Sequence, residues 1–352
     1  MLAKTFASYV KITNRLSNPS SLTSLYRSIE LGNTQIRCCS EFGNFVIDIE
    51  PTGLSEACLL NTQDVVGVAT SLLGDEEIRF TKKDNQVRWK CGKASGHWNL
   101  VNQDHQIPKI LHDKFPWEPP VDFSDALLLA SSACQAAAVS IGLYGIVIEP
   151  TNDSLRLISS NTIALASASV AKDGYPYSTK ITLCPPVPVI LAILLNTFVE
   201  CKLDITGTGL FVQGDGLTAQ LPIGEPLEHD LGQIADNFQK EEHTAKVNSA
   251  SIKKFLSRAR SLADRNVSFT VGLKVEEGKL ILEHKSIASG SEEYFLAEGL
   301  EDTVSYKSVQ LPADMLFIPL QATDTAVFDY LADGRLILKG LKPEFIYIVG
   351  GQ

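Results

Sequence analysis

Long apolar runs are missing from this sequence. No window approaches the roughly 18 uninterrupted apolar residues that a spanning helix needs, so no membrane-spanning helix is expected. The first 18 residues carry Lys4, Lys11 and Arg15 but no apolar run and no small-residue cleavage site. They read as mature protein rather than a targeting segment. Cysteine is sparse in pattern rather than in count. The seven (38, 39, 58, 91, 134, 184 and 201) are scattered and odd in number. A disulfide framework would be denser and even, so reduced thiols and a cytoplasmic location are expected.

Metal-binding and catalytic signatures are absent too. Cys38 and Cys39 are adjacent, no C-x-x-C occurs, and the six histidines form no H-E-x-x-H pair. Neither a metal nor a cofactor is expected. The chain has no G-x-S-x-G, no G-x-x-x-x-G-K-[ST] and no paired carboxylates that stand out. Gly207-Thr208-Gly209 joins two alternating stretches instead of opening a helix, so it is no dinucleotide fingerprint. These absences point away from an enzyme.

Positive charge is also in deficit, with 31 Lys and Arg against 41 Asp and Glu, a formal net charge of −10. That excludes a protein coating nucleic acid through a basic exterior. It leaves room for one that confines its cations to a surface facing DNA.

What remains is a chain of 352 residues, 44% hydrophobic and 20% charged, the composition of a soluble globular protein. Its length calls for two or three domains. Self-comparison shows three segments on one template, at 59–92, 182–214 and 309–340. Each has an apolar lead-in, a helix start marked by Asn61, Pro185 or Pro312, a short apolar helix and two alternating strands. The closing glycines, Gly92, Gly214 and Gly340, set a period of about 120 residues. A longer helix opens each unit, with candidates at 7–16, 124–138 (Ser124 as a possible N-cap) and 249–263. The boundaries fall in linker-like composition at 116–120 and 237–243, giving domains 1–118, 119–240 and 241–352. The fold class is α+β, built from a self-sufficient unit used three times.

This arrangement resembles the bacterial replicative sliding clamp, the beta subunit of DNA polymerase III. The likeness is weak in identity but runs along nearly all the chain. Residues 59–92 followed by Ile107-Pro108 look like that family's clamp-domain ending. Residues 155–166 align without a gap to its strand and Thr-Asp-Gly-His-Arg-Leu turn. Residues 345–350 are similar to its Tyr-Val-Val-Met-Pro tail. The resemblance implies three clamp domains of the processivity fold, with helices lining a ring and antiparallel sheets outside. It further implies a head-to-tail homodimer threaded by duplex DNA without sequence specificity. A DNA polymerase and a clamp loader would be tethered through short peptide motifs.

Site residues follow from the same resemblance. DNA contact is expected from Lys11 and Arg15, four apart on one helix face, and from Lys253, Lys254, Arg258 and Arg260 on the most basic helix. The 124–138 segment has no Lys or Arg, so the grip on DNA should be loose. The partner-peptide pocket carries over to Leu155, Ser160, Thr162, Ile163, Leu165, Pro226, Leu231, Ile348 and Gly350. Here the chain departs from the family: Gly-His-Arg becomes Thr162-Ile163-Ala164, and the two tail methionines become Gly350 and Gln352. An apolar floor survives without its polar rim, implying altered specificity. Ring closure is expected from Trp98, Leu100 and Leu262, although the family's second isoleucine or leucine is Ser261 here. An interaction module that keeps this fold without encircling DNA is the alternative, favoured by the bare middle helix and the altered rim.

Overall fold

The structure, a computed structural model, describes residues 1–18, 20–72, 74–101, 106–135, 144–161, 163–227, 229–238, 244–263, 269–276, 279–286, 290–297, 306–321, 325–330, 336–341 and 344–349. Its elements recur in one order. The first set is α1 (Ala3–Leu16), β1 (Ser28–Leu31), β2 (Gln35–Ser40), β3 (Gly43–Asp48), β4 (Cys58–Asn61), α2 (Thr62–Ser71), β5 (Ile78–Lys83), β6 (Gln86–Cys91) and β7 (Ala94–Asn99).

The second set is α3 (Phe123–Gln135), β8 (Ile146–Pro150), β9 (Ser154–Ser160), β10 (Ala164–Ala171), β11 (Ile181–Leu183), α4 (Val187–Thr197), β12 (Lys202–Thr206), β13 (Gly209–Gly214) and β14 (Leu217–Leu221). An extra helix, α5 (Leu231–Phe238), follows it. The third set is β15 (Thr244–Asn248), α6 (Ser249–Leu262), β16 (Thr270–Glu276), β17 (Lys279–Ser286), β18 (Gly290–Ala297), β19 (Tyr306–Pro312), α7 (Asp314–Gln321), β20 (Thr325–Tyr330), β21 (Leu336–Leu341) and β22 (Glu344–Val349). Long helix, four strands, short helix and three strands thus appear three times, in an α+β fold whose strand pairs, among the described residues, are all antiparallel. No described helix is long and apolar enough to cross a membrane.

Local sequence explains the ends of these elements. Asn61 caps α2, its side chain accepting from the backbone N–H of Gln63 and Asp64, which meets two donors left open by the first turn. The prolines act differently from the sequence expectation. Pro185 and Pro186 form a turn before α4, and it is Pro188 that sits in its first turn. Pro312 closes β19, whereas Pro319 lies inside α7. Ser124 falls within the first turn of α3, because that helix starts at Phe123.

The chain divides into two compact units. One comprises Met1–Pro119, Gly174–Pro176 and Leu194–Ile223; the other comprises Pro120–Asp173, Tyr177–Ile193 and Gly224–Gln352. The first unit holds a seven-stranded sheet ordered β12-β13-β14-β3-β2-β1-β4 and a three-stranded sheet ordered β5-β6-β7. The second holds an eight-stranded sheet ordered β11-β8-β9-β10-β22-β21-β20-β15 and a four-stranded sheet ordered β18-β17-β16-β19. Strands from successive repeats therefore share a sheet, through β3 against β14 and β10 against β22.

In the first unit, α1 turns Phe6, Ala7, Val10 and Leu16 inward and packs on α2 and β2. Phe6 and Phe80 lie 5.1 Å apart, Phe80 and Trp98 6.0 Å, and Trp98 and Trp89 6.1 Å. Full burial of each such ring contributes about 1.5–3 kcal/mol. The proline-rich stretch at 116–120 is not a loose linker, because Trp117 is 1% exposed and its backbone bridges Leu203. It packs edge-on against Tyr175 at 4.9 Å. Large apolar area outweighs the linker-like composition around it.

Gly43 decides how closely β3 approaches β14. Its φ is +150°, and a Cβ there would stand 2.5 Å from the carbonyl oxygen of Gln220. Gly43→Ala is expected to lower the stability of the first unit by about 1–3 kcal/mol, read as a shifted urea midpoint. Asn61→Ala should cost about 1 kcal/mol by loss of the cap in the same measurement.

Candidate functional site

The eight-stranded sheet in the second unit has two faces, and alternation along its strands assigns each side chain to one of them. Ser159 donates its hydroxyl to the Ala130 carbonyl on α3, so odd-numbered positions of β9 face α3. Arg156 and Ile158 face the other way, where α5 lies. Register extends this across the sheet. Leu165 stands opposite Ser160 and Ile348, and Ile348 opposite Ile337.

On the α5 face these residues make an apolar row. Leu165, Ile337 and Ile348 form one buried cluster with Ala235 of α5, flanked by Ile346. Val147 and Ile158 form another with Leu231, flanked by Leu227. Leu231 and Ala235 are four apart, so one stripe of α5 meets both clusters. Asp230 caps the helix, its carboxylate accepting from the Gln233 N–H at 3.2 Å. That bond holds its pKa below the usual carboxylate value, with Lys180 and then the Gly232 N–H adding to the effect.

Charged groups fasten the edges of α5. Arg156 Nη1 lies 2.9 Å from Asp236 Oδ1 and donates to the Gly232 carbonyl at 3.3 Å. Lys180 Nζ lies 2.7 Å from Glu149 and 3.4 Å from Asp230. A Cβ at Gly232 would come within 2.5 Å of Glu149 Oε2, so a larger residue there would push the Glu149 carboxylate aside. Beside the helix a groove of about 200 Å³ opens between Val147, Lys180, Thr182, Pro226 and Leu231.

The expected pocket residues are therefore only partly together. Leu165 and Ile348 share the cluster that includes Ala235 of α5, Leu231 of the same helix belongs to the neighbouring cluster, and Pro226 stands exposed on the groove's edge. Ser160 and Ile163 are half-buried near the β9–β10 turn, and the Ser160 hydroxyl donates to the Asn161 and Ala164 carbonyls. Leu155 does not belong to the pocket: strand alternation turns it to the α3 face, and it is fully buried there. Thr162 and Gly350 lie outside the described residues.

Trp98 also needs correcting. It is 4% exposed within its own aromatic cluster, so it is a core residue rather than an open interface residue. Leu100 and Leu262 are half-buried. The polar composition of 237–243 suggests a linker and no helix before it, whereas Asn237 and Phe238 complete α5. The signal was present as an Asp cap followed by Leu231, Ile234, Ala235 and Phe238 at helical spacing.

The cations divide into free and engaged ones. Lys11 and Arg15 are exposed on α1, opposite its buried stripe, and neither has an ion-pair partner among the described residues. On α6, Lys254 is exposed and Lys253 half-buried, and among the described residues neither is paired. Arg258 is exposed and, like Arg260, engaged; Arg260 is drawn toward α7, 3.3 Å from Asp314 and over the ring of Phe317 at 6.0 Å. Among the described residues no group of three or more His, Cys, Asp or Glu could hold a metal. Burial raises the thiol pKa values, to about 11 for Cys39 and Cys201.

No family model and no curated protein matches the sequence. Solved structures do match the fold. The beta subunit of DNA polymerase from Streptococcus pyogenes gives a TM-score of 0.80 at 14% identity, covering 100% of this chain and 98% of that one. A sliding clamp (DNA polymerase III subunit beta) from Bartonella birtlesii, bound to griselimycin, gives 0.80 at 14%, covering 100% and 98%. The Helicobacter pylori beta clamp bound to a DNA ligase peptide gives 0.76 at 14%, covering 100% and 99%. The chain thus has the fold of the bacterial beta sliding clamps from end to end.

Leu231→Ala should loosen the docking of α5 by about 2–4 kcal/mol. Hydrogen exchange is expected to speed up in α5 while β9 and β10 keep their protection.

Proposed function

We propose that the chain is a DNA sliding clamp. Two copies close head to tail around duplex DNA and tether a polymerase and a clamp loader through short peptide motifs. The reading includes three domains at 1–118, 119–240 and 241–352, and a cytoplasmic location. Clamps of the same fold hold a DNA ligase peptide and griselimycin, which supports the partner-peptide role.

The observation that carries the ring is a pair of unmatched strand edges. In each repeat the third strand after the long helix is β3, β10 or β18, and the last strand is β7, β14 or β22. Two of the three combinations are made within the chain, β3 with β14 and β10 with β22. The one left over is β18 with β7, and each ends its own sheet. An exposed edge of this kind is a template for pairing with another chain. Antiparallel pairing of β18 in one copy with β7 in the next repeats a junction already built twice.

DNA contact falls to Lys11, Arg15, Lys253 and Lys254, with Arg258 beside them. These meet phosphates and read no bases. A ring needs no tight grip, since topology holds it in place, and tethering raises the polymerase's effective concentration at the primer end. The alternative, a partner-binding module off DNA, is favoured by α3, which presents no Lys or Arg between Phe123 and Gln135.

Topology gives the test. Copies separated by dilution and allowed to reassociate around closed circular DNA should stay bound at high salt and leave once the circle is cut. Equal loss from both DNA forms would support the off-DNA module instead. His97→Pro, on the free edge of β7, is expected to give folded monomers by sedimentation, because proline removes a ladder donor. Lys11→Ala with Arg15→Ala should flatten the salt dependence of binding by roughly one unit of log–log slope per lost phosphate contact.

A further inference from the structure

The apolar row that a partner peptide needs is closed in this structure. Leu165 and Ile348 are 5% and 4% exposed, and what closes them is Ala235 of α5. One turn earlier, Leu231 closes Val147 and Ile158. A peptide bringing apolar anchors to this row meets the chain's own helix with two anchors in place.

The hold on that helix is light. Eight residues are too few for a helix to persist once lifted from its support. Among the described residues its apolar anchors are Leu231 and Ala235, the second only an alanine, and Ile234, Gln233, Asp236 and Asn237 all face outward. Its charged fastenings are open to water: Asp236 and Asp230 are 53% and 54% exposed in their pairs with Arg156 and Lys180. Ion pairs so exposed hold weakly. Such segments sit at the low end of a protein's local stability.

We propose that α5 is a displaceable lid on the partner-peptide row, latched by Arg156 and Asp236, and that a partner binds by displacing it. This rests on the partner-site reading above. The closed lid sets a threshold: a segment must bring better apolar anchors than Leu231 and Ala235 to take their place. It also accounts for a groove that opens beside α5, at Pro226 and Thr182, while the row itself is covered. An incoming peptide can seat at the groove first and then lift the helix.

The test combines hydrogen exchange on the full chain with griselimycin as probe. In the protein alone, α5 amides should exchange at least about tenfold faster than those of β9 and β10. Asp236→Asn should accelerate α5 alone. Exchange of α5 in step with β10 would make it a fixed part of the core and overturn the lid. Griselimycin should bind Asp236→Asn roughly two- to five-fold more tightly than the wild type. On binding, α5 should lose protection while β10 and β22 keep theirs. Unchanged affinity with α5 still protected overturns the lid and leaves the partner site standing. No binding by either the wild type or Asp236→Asn overturns the partner-site reading, and the lid with it.

Discussion

A strand at the border of a sheet carries backbone N–H and C=O groups that want partners, and this chain meets that demand across its repeats. The seven-stranded sheet exists because β14 lies along β3, and the eight-stranded sheet because β22 lies along β10. Both junctions impose local chemistry. Gly43 is required where β3 runs close to the Gln220 carbonyl, and Ala166 and Tyr347 face each other across the second junction, with Tyr347 fully buried. Burial pushes the Tyr347 phenol up to about 12, so it stays neutral there. The same rule, applied a third time, leaves β18 and β7 as ends in need of each other.

The eight-stranded sheet separates two tasks by alternation. Its α3 side is a closed core in which Leu155, Leu157 and Ala166 support the fold. Its α5 side carries the row through Ile158, Leu165 and Ile348, with Leu231 and Ala235 of the short helix α5 packed on it. Affinity for a partner is then the difference between two occupants of one row rather than the strength of an empty pocket. Similar logic governs charge. With a net charge of −10, exposed cations such as Lys11, Arg15 and Lys254 on α1 and α6 would stand out against an acidic exterior, which favours confinement of DNA to one surface over general coating.

Much of this was legible in the residues. The threefold recurrence appeared in the Asn61 cap, the alternating hairpins and their closing glycines, because hydrophobic period and turn chemistry are local signals. The long helices appeared for the same reason. Tertiary facts were not local. Leu155 and Leu165 look alike in sequence, and only register tells that they face opposite sides of the sheet. Trp98 reads as an exposed interface residue until Phe6 and Phe80 are placed against it. Trp117 sat in proline-rich composition yet is a core residue. The helix α5 was hidden by the polar run that follows it, since Asn237 belongs to the helix and to that run alike.

The central claim is that β7 of one copy pairs with β18 of the next and so closes a ring. Electron micrographs of the purified full chain at micromolar concentration, averaged by class, test it most directly. The account predicts closed particles of two subunits around a hole wide enough for duplex DNA. Single curved subunits that persist as concentration rises would contradict it.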